Sequence, residues 1–175
     1  YAFFHGDLRI SDNIKVVEVL IDCYSKWPQF NLRIGSNFNN VKIQKMIAQF
    51  DNISFHLTQN FIEIQSLMQN SQFAIMWSFQ MTGSKLKLIN SLANSRYVII
   101  NEYISSDEKV NNLCLKASTT EELFEILTKY SNANFSFEEM SEIYVVVDNS
   151  MVQNRKVKRE NERALNKGNK IHFVD

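Results

Sequence analysis

Six short runs rich in apolar and β-branched residues, separated by segments of helical spacing, constrain this chain more than any other feature. They read "YAFFH" (1–5), "NLRIG" (31–35), "ISFHL" (53–57), "FAIMWS" (73–78), "YVIIN" (97–101) and, more weakly, "LCLKA" (113–117). Between them, four apolar patterns recur at the spacing of one helix face: Ile14, Val17, Ile21 and Tyr24; Val41, Met46, Ile47 and Phe50; Ile62, Ile64, Leu67 and Met68; Leu86, Ile89, Leu92 and Ala93. Strands that alternate with helices predict βαβ units, and near-continuous apolar strands suit a parallel sheet covered on both faces.

The expected fold is therefore α/β, a doubly wound, mostly parallel six-stranded sheet of Rossmann-like element order with C-terminal helices. Ser11 and Asn40 are the expected caps of the first two helices, and Thr119 with Glu122 forms a capping box ahead of "TEELFEILTKYS". A longer amphipathic helix is expected over 137–165. A length of 175 residues suits one ordinary core. The expected division is a sheet domain over 1–135 and a helical extension over 136–175 packing on that same domain, with no linker between them. The tail after Met151 is enriched in basic residues, Arg155, Lys156, Lys158, Arg159, Arg163, Lys167 and Lys170, and reads as a solvated helix face in preference to a membrane contact.

Charge and residue usage narrow the partners. Nineteen Lys and Arg balance nineteen Asp and Glu, so no general field draws nucleic acid or an anionic membrane, and any anion site must be local. No apolar run reaches the roughly 20 residues of a membrane span, and "YAFFHGDLRI" lacks the pattern of a signal peptide. Cys23 and Cys114 lie in apolar settings typical of buried thiols, which suggests a cytoplasmic location. His5, His56 and His172 share no ligand spacing, so no metal and no cofactor are expected.

In open parallel sheets a ligand binds beyond the carboxyl ends of the strands, where the winding reverses. For the commonest six-strand order that point lies between the first and fourth strands. Two loops should face each other there, "HGDLRIS" and "FQMTGSK", each with one of the chain's four glycines, Gly6 and Gly83. Gly83 precedes a helix whose free N–H groups and dipole would favour an anion, a phosphate above all. At about 100° per residue, Gly83, Lys87, Asn90 and Asn94 fall on one stripe, equally readable as a solvent face, with Leu86, Ile89, Leu92 and Ala93 on the side that packs on the sheet. Lys85, in the first turn, is placed to swing over the crevice and meet phosphate, or to extend into water. Asp7 and Asp12 share a loop and read as turn or cap residues more readily than as a catalytic pair, although Asp7 beside Gly6 is also within reach of a ligand. His5 reads as a structural histidine at a strand end.

These stretches, "AFFHGDL", "NLRIGSN", "NISFHL" and then "SFQMTGSKLKLINSLANSRYVIIN", resemble in order and motif the C-terminal, donor-binding half of GT-B glycosyltransferases, in the large retaining, sugar-nucleotide-dependent family known as group 1. The resemblance covers roughly residues 1–130, with motifs around Gly6 and from Thr82 to Val98, and fits a variant bacterial branch reading like "TG-x-KLKLLNAL". It implies that Gly83 lies by the donor sugar and phosphate, that Ser84, Lys85 and Leu86 open the helix that holds the diphosphate, and that Gly6 stands on the opposite loop. It implies donor contact by Lys87, and sets Lys85 as the catalytic side chain stabilising the departing diphosphate. Phe79 and Gln80 would line the crevice, and the base would lie near Leu57 and Thr58. Thr82 and Asn90 stand where the family's E-x7-E pattern has its two glutamates, and Ser95 and Tyr97 replace its usual glycine and proline.

The function so implied is transfer of a sugar, hexosyl or mannosyl in type, from a nucleotide diphosphate sugar to a glycan or lipid-linked acceptor held by an N-terminal domain that this chain lacks, in polysaccharide biosynthesis. The isolated chain is then expected to be inactive, and its location cytoplasmic or peripheral at the inner membrane face. The alternative is a degenerate, non-catalytic glycosyltransferase-like scaffold or partner module. A response-regulator receiver is set aside, because "ISFHL" is followed by "TQN" and not by a phosphorylatable aspartate.

Overall fold

The computed structural model describes residues 1–81, 85–104 and 108–133, with the side chain of Lys85 left out. The helix expected over 137–165, the basic tail, and Thr82, Gly83 and Ser84 lie outside the described residues. All described residues belong to the first of two units into which the chain divides, Tyr1–Phe135.

Six parallel strands form one sheet in the order β3-β2-β1-β4-β5-β6. They are β1 (Ala2–His5), β2 (Leu32–Ser36), β3 (Ile53–Leu57), β4 (Phe73–Met76), β5 (Tyr97–Ile100) and the short β6 (Leu115–Lys116). The helices are α1 (Ser11–Lys26), α2 (Val41–Ile47), α3 (Phe61–Gln69), α4 (Lys85–Asn94), α5 (Glu108–Asn111) and α6 (Thr120–Tyr130). The chain winds outward from β1 to β3, returns through α3 to β4 beside β1, and winds outward again to β6. The reversal falls between β1 and β4, as the element pattern predicts.

Side-chain alternation along the strands explains the layers. Phe4, Ile34, Phe73, Ile75 and Ile99 face a core completed by Val17, Leu20 and Tyr24 of α1, Ile43 and Ile47 of α2, and Leu123 and Leu127 of α6. The intervening residues Phe3, Ala74, Met76, Val98 and Ile100 are also buried, together with Met68, Leu88, Ile89 and Leu92 from α3 and α4. Both faces are therefore covered, which is why the central strands read as unbroken apolar runs. At the end of α1, Trp27 packs against Phe124 of α6 with ring centroids 5.1 Å apart.

Of the four helix starts whose caps are described, three follow a capping polar residue and one does not. Asn40 Oδ1 accepts the Ile43 amide at 3.1 Å, Asn60 Oδ1 accepts that of Glu63 at 3.0 Å, and Thr119 with Glu122 makes the expected capping box. Ser11 does not cap α1. It is the first helical residue, and the cap position is Ile10, without a side-chain bond. The second exception to the sequence pattern is apolar: Ile62 is 75 % exposed and Leu86 is 64 % exposed, so neither packs on the sheet.

Candidate functional site

At the carboxyl edge, between β1 and β4, lies a cleft of about 380 Å³ bordered by Asp12, Asn13, Trp77, Ser78, Gln80 and Lys87. The first turn of α1 supplies Asp12 and Asn13, the turn after β4 supplies Trp77 to Gln80, and the first turns of α4 supply Lys87. A second cleft of about 360 Å³ opens near the amino ends of the strands by Tyr1, Phe30, Asn31 and Gln72. No acidic or basic side chain lines it, and a parallel sheet aims its helix N-termini at the other edge. The switch-point cleft is the candidate site.

Lys87 is its centre of charge. Of the two readings of the α4 stripe, the solvent face does not hold at Lys87: its ammonium reaches across to donate to the main-chain carbonyl of His5, the last residue of β1, and lies 5.5 Å from the centroid of the Phe4 ring. Burial pushes its pKa down to about 8. It forms no ion pair among the described residues. A cation withdrawn from water without a counter-ion is costly, and an anion entering the cleft relieves that cost.

The wall facing it is polar and ordered. Asp12, 8 % exposed, accepts the Ser78 hydroxyl at 2.9 Å on one oxygen. Its place in the first turn of α1 suits a carboxylate, since the helix dipole is positive there. Asn13 Nδ2 donates to the Asp7 carbonyl at 2.9 Å, which fixes the β1–α1 loop. Asn101, just past β5, bonds both main-chain groups of Ser78.

His5 ends β1 and gives its main-chain carbonyl to Lys87. Its Nε2 lies 3.5 Å from Oγ1 of the buried Thr58. Burial first, and then the charge of Lys87, pull its pKa down to about 4, with Asp7 opposing. It is neutral at pH 7, in keeping with a structural histidine.

The sequence-expected residues fall into three groups. Lys87 stands at the cleft, and Gln80 lines it as the resemblance implies. Asn90 is half-buried on α4, and none of its side-chain atoms has a hydrogen-bond partner among the described residues. A second group has partners within the protein or stands exposed. Asp7 is engaged by Arg9 through paired bonds of 3.0 and 2.6 Å, and this guanidinium holds its carboxyl down at about 2. A Cβ on Gly6 would lie 3.0 Å from the Asn13 side chain and 3.1 Å from the Phe4 ring, so the protein itself fills the space beside it. Asn94 accepts from Gln65 of α3 at 3.0 Å, and Leu86 and Phe79 are exposed. The third group, Thr82, Gly83, Ser84 and the side chain of Lys85, lies outside what the structure describes. Sequence reasoning missed Ser78 and Asn101 and took Asp12 for a loop brace. The signal available for Ser78 and Asn101 was a polar residue ending each of two apolar runs, Phe73 to Trp77 and Tyr97 to Ile100.

Among the described residues no group of three or more His, Cys, Asp or Glu converges on a metal position. No described helix is long and apolar enough to cross a membrane.

Protein-family models and curated protein sequences give no match to the chain. Solved structures do share its fold. The C-terminal domain of a glycosyl transferase group 1 family protein from Francisella tularensis aligns over 83 % of this chain and 85 % of that domain, with TM-score 0.60 and 13 % identity. A trehalose-6-phosphate synthase, an enzyme of glycosyl transfer with retention, aligns over 85 % of this chain and 41 % of its own length, with TM-score 0.57 and 12 % identity. A UDP-GlcNAc 2-epimerase from Neisseria meningitidis aligns over 87 % of this chain and 43 % of its own length, with TM-score 0.53 and 16 % identity. At these identities the likeness is one of fold, and that fold is one half of the GT-B architecture. The chain spans less than half the length of the synthase and the epimerase.

Proposed function

We propose that this chain is the donor-binding half of a GT-B glycosyltransferase and holds the diphosphate of a sugar nucleotide at the switch-point cleft. The observation that carries the reading is Lys87, a buried ammonium without a counter-ion among the described residues, at the point where the sheet reverses its winding. A diphosphate is the anion that fits, because helix N-termini and a lysine together stabilise charge that grows on a departing group. In this reading Lys85 meets the diphosphate from the first turn of α4, Gly83 and Ser84 offer main-chain N–H groups, Thr82 meets the sugar and Asn90 a ribose hydroxyl. Gly6 and Asp7 shape the opposite loop without touching the donor.

A second α/β half carrying a glycan or lipid-linked acceptor would close over this edge. In support, all nine exposed large hydrophobics among the described residues lie on strand ends, loops or helix starts at the carboxyl edge of the sheet, Ile10, Phe38, Leu57, Phe61, Met81 and Leu86 among them. Patches of that kind mark surfaces that meet other polypeptide. Cys23 and Cys114 are free and buried, and burial pushes their thiols up to about 11 and about 12, which agrees with a cytoplasmic setting.

The replacement of two family carboxylates by Thr82 and Asn90 favours a second reading, a scaffold that keeps the fold without the transfer. Thermal shift with UDP, GDP and their glucose and mannose derivatives tests the first reading. A rise in Tm supports donor binding; no shift with any of them rejects it. Donor hydrolysis by the protein together with its acceptor half, lost in Lys85→Ala, separates enzyme from scaffold.

A further inference from the structure

The turn after β4 is held by a side chain that does not border the switch-point cleft. Asn101 is 4 % exposed; its Nδ2 donates to the Ser78 carbonyl at 2.7 Å, and its Oδ1 accepts the Ser78 amide at 3.3 Å. β4 and β5 stay in register up to Met76 and Ile100. Just past that point, the Asn101 amide does what a further peptide group of the ladder would do, satisfying both main-chain groups of a buried residue.

On its other side Ser78 is tied to α1. Its hydroxyl lies 2.9 Å from Asp12 Oδ2 and 2.8 Å from the Gln80 carbonyl, and the Gln80 amide donates back to it at 3.3 Å. The turn is hung between β5 and α1. Its residues Trp77, Ser78 and Gln80 form the wall that faces Lys87.

We propose that Asn101 is a positioning residue that fixes the Ser78–Gln80 wall, so that affinity at the cleft depends on a side chain that never touches the ligand. The affinity part of this rests on the nucleotide reading above. The chemistry is specific to asparagine. An ionised aspartate offers no donor to the Ser78 carbonyl, alanine offers neither partner, and glutamine is a methylene too long for the same two bonds. Asp12 braces the turn from the other side but lines the cleft itself, so Asn101 is where positioning separates from contact.

Amide hydrogen exchange and UDP titration of the 175-residue chain test this with Asn101→Ala and Asn101→Asp. In Asn101→Ala the Ser78 and Gln80 amides exchange about tenfold faster or more, β1 and β2 amides keep their rates, and UDP affinity falls by a similar factor. Asn101→Asp matches the alanine variant at neutral pH. As the pH falls and the new carboxyl takes up a proton, it both donates and accepts, and Ser78 protection and UDP affinity recover relative to wild type. A space-filling role gives no such recovery. Unchanged Ser78 exchange in Asn101→Ala, or faster exchange with unchanged UDP affinity, overturns the proposal. Should Asn101→Ala not fold, the pH dependence of the aspartate variant decides alone. A wild-type chain that takes neither UDP nor GDP overturns the nucleotide reading instead, and the exchange result then decides the positioning.

Discussion

The ammonium of Lys87 donates to the carbonyl of His5, so a residue of α4 is bonded to the last residue of β1 across a sequence separation of 82. That bond ties the two halves of the doubly wound sheet together at their reversal point. It also parks a cation where an incoming anion would find it.

Lys87→Met should therefore separate stability from binding. The Lys87 pKa is lowered from 10.5 to about 8, so the unfolded chain binds this proton more tightly than the native one. The resulting penalty is fully present below pH 8 and fades as the pH rises toward 10.5. The methionine variant is expected to be at least as stable as wild type at pH 7 in urea unfolding, with its advantage shrinking above pH 8. Its UDP affinity should fall about tenfold or more, and wild-type affinity should fall above pH 8 as the lysine loses its charge. A large loss of stability at pH 7 would mean that the bond to His5 outweighs the cost of burial.

His5 gives an acid-side signature. Its folded pKa, about 4, lies below the ordinary 6.5, so between those values the unfolded state is protonated and the native state is not. Stability is lost as the pH falls through that window. His5→Gln removes this contribution, and the stability of the variant should be flatter by about one proton between pH 6.5 and 4 in urea midpoints measured across the range.

Gly35 and Gly6 should respond differently to a methyl group. A Cβ on Gly35, in β2, would lie 2.8 and 2.9 Å from the buried Phe3 ring, closer than real contacts allow, whereas at Gly6 the nearest atoms stand at 3.0 and 3.1 Å. Gly35→Ala should cost about 2–3 kcal/mol and Gly6→Ala less. Adding Phe3→Leu to Gly35→Ala should recover part of the loss, which chemical denaturation of the double variant would show.

Asn52 secures the end of α1. Its Nδ2 faces three carbonyls, those of Tyr24 at 2.8 Å, Phe30 at 2.9 Å and Trp27 at 3.3 Å. Asn52→Asp sets a carboxylate against those oxygens and should cost about 3 kcal/mol, more than Asn52→Ala, as the two urea midpoints would report.

The elements of this fold are local events, and for that reason they were readable. "ISFHL" coincides with β3, and Thr119 with Glu122 caps α6 as its spacing implies, because strand runs and capping boxes depend on neighbours within a few residues. The placement of β1 beside β4 followed from the commonest winding order. The site was readable only in outline. Whether Lys87 enters the crevice or faces water depends on how α4 is rotated against β1, which a helical wheel does not contain. Leu86, assigned inward by the same wheel, is exposed. Ser78 meets Asp12 across 66 positions and Asn101 across 23, separations at which no periodicity survives. Ser11 is not the cap because the helical ladder begins one residue earlier, with the Ile14 amide donating to the Ile10 carbonyl.

The large exposed apolar side chains of the described residues gather at one edge of the sheet and leave that edge poorly wetted. Should two copies meet at those edges in concentrated solution, the encounter would hide the cleft each copy presents. Ligand titrations will report the site faithfully only in dilute samples, where a copy remains alone long enough for its open end to be occupied by something other than itself.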